Sequence, residues 1–254
     1  MRIAVCIKRV PITGGRIVLT DDSRAINTQH LGFTMIPHEE CGVEEAVRLI
    51  EANKGESVVL TLGPPEAVEQ LRDAMALGAD RGIHLQTDGS EWDGEGTAAA
   101  LTEALGADEA ANGPFDVIFF GNESADSAGF QVGIRVAYAL GRPCVTGLKK
   151  VTLQGASVRC EQEVEGGRDV YVVPLPAVLT VKEGLNLPRY PSVPGRMRAR
   201  SKPVATATPS RPAPRLELVM LAVPAGQGRR AESLGSGPAS APAVVEVLVK
   251  AGLL

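Results

Sequence analysis

The chain has 254 residues, enough for one large domain or a domain with an appendage, and enough to bury a substantial core. A hydrophobic fraction of 44% beside 22% charged residues is ordinary for a soluble globular protein, and no apolar run reaches the length of a membrane span. A net charge of −4 with 4% aromatic residues argues against a general nucleic-acid binder, which needs a basic surface and rings to stack on bases.

Ile3 to Ile7 reads as a first strand, apolar throughout as a strand buried on both faces is. The segment turns basic at once with Lys8 and Arg9 and lacks the long apolar core of a secretory leader, so a cytoplasmic location with no membrane insertion is expected. Val43 to Ala52 carries Val43, Ala46, Val47 and Ile50 at helical spacing, with Glu44 and Glu45 in the expected first turn. The pairs Glu39-Glu40 and Glu44-Glu45 read as a helix start and its solvated face. Ser57 to Leu62 is the next strand, and a helix with Val68, Leu71 and Met75 inward stops at Gly78. Gly82 to Gln86 is a strand, Gly96 to Leu105 a helix, Phe115 to Phe120 a strand and Gly129 to Leu140 a helix. This alternation predicts an α/β fold, an open parallel sheet with helices on both faces.

From Val151 the texture changes. Val151 to Leu153, Ser157 to Val164 and Asp169 to Val173, punctuated by Gly155 and Gly166-Gly167, predict an appended antiparallel hairpin. After a hydrophobic run from Leu175 to Val181 comes VKEGLNLPRYPSVPGRMRARSKPV, where Pro188, Pro191, Pro194 and Pro203 argue against regular helix or central strand. Arg189, Arg196, Arg198, Arg200 and Lys202 make it basic. From its own residues it is either a solvated linker or a segment presented to an acidic partner. Beyond it, Ala205 to Pro214 and Pro224 to Pro242 have little capacity to fold alone, Leu216 to Val223 suggests a short strand, and Ala243 to Ala251 a terminal amphipathic helix. The expected organisation is an α/β domain over 1–182, a recognition segment over 183–204 and an extended C-terminal arm over 205–254.

The chemistry is sparse. The sequence has no G-x-G-x-x-G after the first strand, no phosphate-binding P-loop and no zinc-protease motif. Cys6, Cys41, Cys144 and Cys160 form no C-x-x-C pair, and Cys6 and Cys144 read as buried free thiols. No nucleophile–base set is legible and no metal site is expected, so the chain does not read as a self-sufficient enzyme. One segment suggests a ligand: GNESADSAGFQVG, Gly121 to Gly133, between a strand and a helix. Ligands of open α/β sheets bind beyond the carboxyl ends of strands, and helix N-termini offer free N–H groups to phosphate. Gly121 and Gly129 allow close approach, and Asp126 and Ser127 are placed to cap the helix or to contact a ribose. The same residues also suit a capped loop with no ligand.

Several segments, in order, are similar to those of electron-transfer flavoprotein (ETF) β subunits. IKRVP resembles the family's VKRV/VKQVP, EEAVRL its EEALRL, and LGPPEAVEQLRDAMALGADRGIHL its GP…R-x-AL-x-MGAD segment. GNESADSAGFQVG corresponds to its G-[KRN]-[QE]-[AS]-x-D loop, CEQEVEGG…LPAVLTV to its E-x-x-x-GG…LPAV-x-T signature, and NLPRYPSVPGRM to its LNEPRY-type segment. The match covers roughly four-fifths of the chain and is specific, because independent segments occur in the right order. The resemblance implies a nucleotide-binding fold of the adenine nucleotide alpha hydrolase-like (HUP) type, in a heterodimer with an ETF α subunit that holds the redox FAD. It further implies AMP in the β subunit, or a second FAD in electron-bifurcating members, and no chemistry by the β subunit alone.

Carried over by position, that nucleotide contacts Cys6, the segment Ile36, Pro37, His38 and Glu39, and Leu62. The loop adds Gly121, Asn122, Glu123, Ser124, Ala125 and Asp126, then Ser127, Ala128, Gly129, Phe130, Gln131 and Val132, largely through backbone. Ile36 stands where the family has Asn, Val132 where ordinary members have Thr, and His38 in place of an aromatic near the α-subunit flavin. The docking segment implied comprises Arg189, Tyr190, Val193, Pro194, Arg196, Met197, Arg198 and Arg200. Val193 aligns with an apolar anchor that enters a pocket on acyl-CoA dehydrogenases. The implied function is to pass electrons from flavoprotein dehydrogenases to an ETF–quinone oxidoreductase or another acceptor, as in fatty acid oxidation. The terminal helix is expected on the α subunit. A stand-alone nucleotide-binding regulatory module of universal-stress-like fold is the alternative, and it has no need of the basic segment and tail.

Overall fold

Arg2–Ile7 (β1) is apolar from Ile3 onward, and those five residues are all buried because the strand is covered on both faces. The computed structural model, which describes residues 1–14, 17–224 and 232–254, places it inside a nine-stranded sheet. A small hairpin, Val10–Pro11 (β2) with Phe33–Thr34 (β3), leads to Pro37–Asn53 (α1) and Glu56–Gly63 (β4). Val68–Leu77 (α2), Arg81–Gln86 (β5), Gly94–Asn112 (α3), Val117–Gly121 (β6) and Val132–Ala139 (α4) continue the alternation. Cys144–Gln154 (β7), Ser157–Val164 (β8) and Gly167–Pro174 (β9) form a meander. Ala177–Val181 (β10) returns to the middle of the sheet, before Val193–Ser201 (α5), Val204–Ala207 (β11) and Ala241–Lys250 (α6).

The strand order is β11-β5-β4-β1-β6-β10-β7-β8-β9, parallel from β11 to β7 and antiparallel from there to β9. The expected open parallel sheet with an appended hairpin is thus the observed one. Period-two alternation divides the core into two layers. Ile3, Val5 and Ile7 face Val43, Ala46 and Val47 of α1, Leu71 and Met75 of α2 and Ala199 of α5. Ala4 and Cys6 face the other way, toward Leu101 and Leu105 of α3 and Val136 of α4.

Several expectations need correction. The first helix starts at Pro37, before Val43: Pro at the first position loses no hydrogen bond, and Glu39 bonds back to the N–H of Ile36. Its first turn therefore holds Glu39 and Glu40, and Glu39, Glu44 and Glu45 are buried instead of lying on a solvated face. The helix expected from Gly129 starts at Val132, because Ala128 (φ 45°) and Phe130 (φ 54°) take left-handed backbone that a helix cannot contain. Asp126 and Ser127 do not cap it.

The basic segment contains a helix despite its prolines. Ser192 caps α5 by accepting from the N–H of Gly195 at 3.1 Å, and Pro194 sits in the first turn, where a missing donor breaks nothing. Gly195 lets α5 close on α2, since a Cβ there would lie 2.9 Å from the Ala76 carbonyl oxygen. Lys202 then donates to the carbonyls of Met75, Gly78 and Ala79 at 3.0, 3.3 and 2.6 Å, satisfying the end of α2. The chain has passed from β10, inside the sheet, to its far edge, and residues 204–207, of which those from Ala205 were expected to have little capacity to fold alone, form the edge strand β11. Leu216 to Val223 forms no strand. Of the Pro224–Pro242 stretch, 225–231 lie outside the described residues, and α6 buries none of its residues.

The amino ends of β1, β4 and β5 carry charge that the apolar interior cannot hold. Arg81 reaches Glu56 and Asp108 at 2.8 Å each, and Arg2 reaches Asp108 at 2.5 Å and Glu56 at 3.2 Å, with a further bond to the Gly113 carbonyl. Burial would raise the Asp108 carboxyl, but the two guanidiniums outweigh it and hold it below the usual carboxylate range. A carboxyl depressed by folding stabilises above its unfolded value, near pH 4, and that stability is lost as pH falls below it. Asp108→Asn should cost about 2–4 kcal/mol at pH 7. In urea titrations at pH 7 and pH 3.5, the gap between wild type and variant should shrink at the lower pH.

Candidate functional site

The strand order reverses between β1 and β6: the chain first adds β4 and β5 on one side of β1, then crosses back to lay β6 on the other. Such a reversal opens a crevice at the carboxyl ends of the two strands. The register brings the expected residues to it, because Cys6 pairs with Leu60 of β4 and with Phe120 of β6, so Leu62 and Gly121 lie just beyond. Ile36 is the N-cap of α1, with Pro37, His38 and Glu39 in its first turn, and residues 122–131 form the loop from β6 to α4, where Val132 starts the helix.

Glu39 holds this corner together. It is 5% exposed, one carboxylate oxygen accepts the Lys8 N–H at 2.8 Å, and the other accepts the Ile36 N–H at 3.2 Å. The end of β1 and the start of α1 are thereby tied to one side chain. Gly121 makes room for it, since a Cβ there would stand 2.9 Å from Glu39 Cγ. Burial pushes the Glu39 carboxyl up to about 8 against the opposing pull of these two N–H bonds and of Lys8. Burial and the Glu39 charge also push the Cys6 thiol far up, so it stays an inert thiol.

Lys8, directly after β1, places its Nζ 2.8 Å from Glu91 and 2.7 Å from Asp126. Burial would lower its pKa, but the two carboxylates outweigh it and keep the ammonium charged. Burial would likewise raise Asp126, and Lys8 together with hydrogen bonds from Ser124 and Ser127 holds it down. Within the loop, the Ser124 and Ser127 hydroxyls are 2.8 Å apart. Asn122 fixes the base of the loop: its N–H donates to Val181 and its side-chain oxygen accepts from Thr180, whose hydroxyl also takes the Gly147 N–H. Gln131 accepts from Arg135 at 2.8 Å and does not cap α4, so no side chain among the described residues occupies the helix's first-turn N–H groups. Phe130 projects to solvent. His38 is half-buried, its Nδ1 has no partner among the described residues, and burial lowers its pKa.

Lys8, Glu91 and Thr180 were not singled out as site residues from the sequence. Lys8 alone carried a signal, the first charge beyond a buried strand; Glu91 and Thr180 arrive by topology. Arg189, Tyr190, Val193, Pro194, Arg196, Met197, Arg198 and Arg200 lie apart from the crevice, on and before α5. Arg189 is committed to the fold through Glu44 at 2.9 Å and Glu51 at 2.7 Å, and Arg196 stands 3.7 Å from Asp73. Tyr190, Val193 and Met197 are exposed, Val193 at 72%, and Arg198 and Arg200 form no ion pair among the described residues. No group of three or more His, Cys, Asp or Glu side chains is placed to hold a metal among the described residues, and no described helix is long and apolar enough to cross a membrane.

The family described as electron transfer flavoprotein domain matches residues 24–212. Among similar proteins, the electron transfer flavoprotein subunit beta of Syntrophomonas wolfei is 35% identical over 225 residues, covering 88% of this chain and 86% of that one. The subunit of the same name from Mycobacterium tuberculosis strain H37Rv is 36% identical over 212 residues, 81% and 78% of the two chains. The mitochondrial subunit beta of Arabidopsis thaliana is 37% identical over 211 residues, 82% of each.

Replacing Glu39 by Gln leaves one backbone N–H facing an amide N–H₂, and should cost about 1–3 kcal/mol. A carboxyl raised by folding costs stability as pH rises from its unfolded value near 4.3 through its folded value. Wild type should therefore lose stability relative to Glu39→Gln between pH 5 and pH 8.5, read from urea midpoints; a constant gap would remove the titration from Glu39.

Proposed function

The chain belongs to the electron transfer flavoprotein family, matching its β subunits, and from that premise we propose that it is the β half of a heterodimeric electron carrier whose FAD is held mainly by an α subunit. In this reading the β subunit binds an adenine nucleotide, AMP in an ordinary carrier, at the crevice between β1 and β6. The observation that carries it is the uncapped N-terminus of α4 beyond the strand-order reversal, facing a loop whose base is pinned by Asn122. The arrangement fits a phosphate at the first turn of α4. It fits the rest of the nucleotide along the backbone of Cys6, the 36–39 segment, Leu62 and the 121–132 loop. Ala128 and Phe130 hold left-handed backbone, a strain that binding sites commonly retain.

FAD supplies the redox chemistry when bound; this chain's own residues bind, orient and dock. Val193 opens α5 on a capped turn, so little ordering is lost when it enters a partner's pocket. Arg198 and Arg200 steer an acidic dehydrogenase, of the acyl-CoA type among others, and a quinone reductase or another acceptor takes the electrons onward. The α/β domain, to which β11 adds an edge strand, a recognition segment within 183–204 and a C-terminal arm whose α6 packs on the α subunit divide the work, in a cytoplasmic complex.

Co-expression with its α subunit should give a yellow 1:1 complex, and acid extraction followed by chromatography should release one FAD and one AMP. Two FAD would shift the reading to electron bifurcation, and FAD with no second nucleotide would refute the β site. In the same complex, Val193→Ala should slow electron transfer from the dehydrogenase at unchanged flavin content, by up to about tenfold for the lost apolar contact. Raised salt should slow the wild type.

A further inference from the structure

After β11 the chain does not leave the domain. Residues 208–217 run back across the loop between β5 and α3. Arg211 donates to the Ser90 hydroxyl at 2.7 Å and to the Glu91 carbonyl at 2.6 Å, while its guanidinium lies 5.7 Å over the ring of Trp92. Arg215 reaches Glu95 in the first turn of α3 at 3.3 Å, and Pro212 packs over Gly96, with its Cγ 3.4 Å from where a Cβ would stand. Further on, Glu217 lies 3.7 Å from Arg24 and the Leu221 N–H donates to the Ser23 carbonyl at 2.7 Å. Basic side chains meet acidic or carbonyl partners along this path.

The loop that Arg211 grips is the one that reaches the candidate site. Glu91, whose backbone Arg211 holds, contacts Lys8 with its side chain, and Lys8 contacts Asp126 in the loop between β6 and α4. The Glu91 side chain is largely exposed, so its position is set by its backbone and not by packing. Asp126 is the well-shielded end of the series, and its loop carries the two strained residues. A relay of three short polar contacts thus joins an otherwise unexplained strap to the ligand loop.

We propose that the 208–217 strap is a clasp on the nucleotide site, with Arg211 as a positioning residue that acts through Glu91 and Lys8 on the loop carrying Asp126. This rests on the nucleotide-site reading above. The clasp acts on release: with the strap seated, Lys8 holds the loop closed over the crevice, and with it detached Glu91 swings free and the loop opens. Arg suits the position because its planar fork reaches two acceptors at once while stacking on an indole, which an ammonium cannot do.

The test uses the full-length chain in complex with its α subunit and radiolabelled AMP or FAD as the probe. Arg211→Ala should shorten the half-life of the bound probe about fivefold, and Arg211→Lys should restore it only in part. Arg168→Ala, which removes an exposed charge from the far edge of the sheet, should leave it unchanged. Hydrogen exchange gives the second readout: Arg211→Ala should raise exchange in 122–131 as well as in 88–95. In a Lys8→Met background, adding Arg211→Ala should no longer affect 122–131. Wild-type release, or faster exchange confined to 88–95, would overturn the clasp. Should neither AMP nor FAD bind, the nucleotide reading fails by itself, and the exchange at 122–131 still decides whether the strap is coupled to that loop.

Discussion

Parallel strands buried on both faces have no place for charge except at their ends, and the two ends of this sheet resolve that constraint in opposite ways. At the amino edge, two guanidiniums meet two carboxylates in short, mutually satisfied contacts. At the carboxyl edge the balance is incomplete. Lys8 is shared by Glu91 and Asp126, Glu39 is buried at the cost of a raised pKa, and α4 begins with no side chain of the described residues on its N–H groups. A fold whose local preferences otherwise agree departs from them at this edge, the edge where the proposed function places its ligand.

The alternation of apolar strands and helices was legible because burial writes itself into the sequence as uninterrupted runs and 3.6-residue spacing. The loop between β6 and α4 was legible for a similar reason, as glycines and short polar residues between a strand and a helix. What misled was composition standing in for position. Glu44 and Glu45 look like a solvated face, yet they are buried to receive Arg189 and Asn186, which lie more than a hundred residues further along the chain. Nothing local records that pairing. Pro191 and Pro194 look like helix breakers, and position makes the difference: one precedes the cap and the other sits in the first turn.

The same reasoning explains why the chain from 183 to 207 is structured at all. It leaves most of its large apolar side chains exposed, with Leu185 and Val204 only partly buried, and α5 buries only Gly195 and Ala199. It is held instead by polar contacts that end other elements: Arg189 on two carboxylates of α1, Arg72 on the carbonyls of Ala199 and Lys202, and Lys202 on the last carbonyls of α2. Such contacts fix a path without burying the residues along it. Tyr190, Val193 and Met197 stay exposed on a backbone that is itself anchored. That combination of fixed backbone and free apolar tips is what low-cost docking requires.

Helix α1 sets the geometry between the two regions. Its first turn contributes His38 and Glu39 to the crevice, while Glu44 and Glu51, further along the same helix, hold Arg189 just before α5. Seventeen helical residues span about 25 Å, and Cys41 to Val47 are buried on all sides. Under the proposed function, a partner seated on α5 is registered, through Arg189, to the same rigid rod that Glu39 clamps to the end of β1. Under the proposed function, electron transfer needs that registration more than it needs chemistry from this subunit. A carrier must meet its donor with a fixed orientation and then let it go. In this reading a docking surface anchored by ion pairs on the helix whose first turn borders the crevice provides the orientation, and leaving only exposed side chains to contact the partner permits the release.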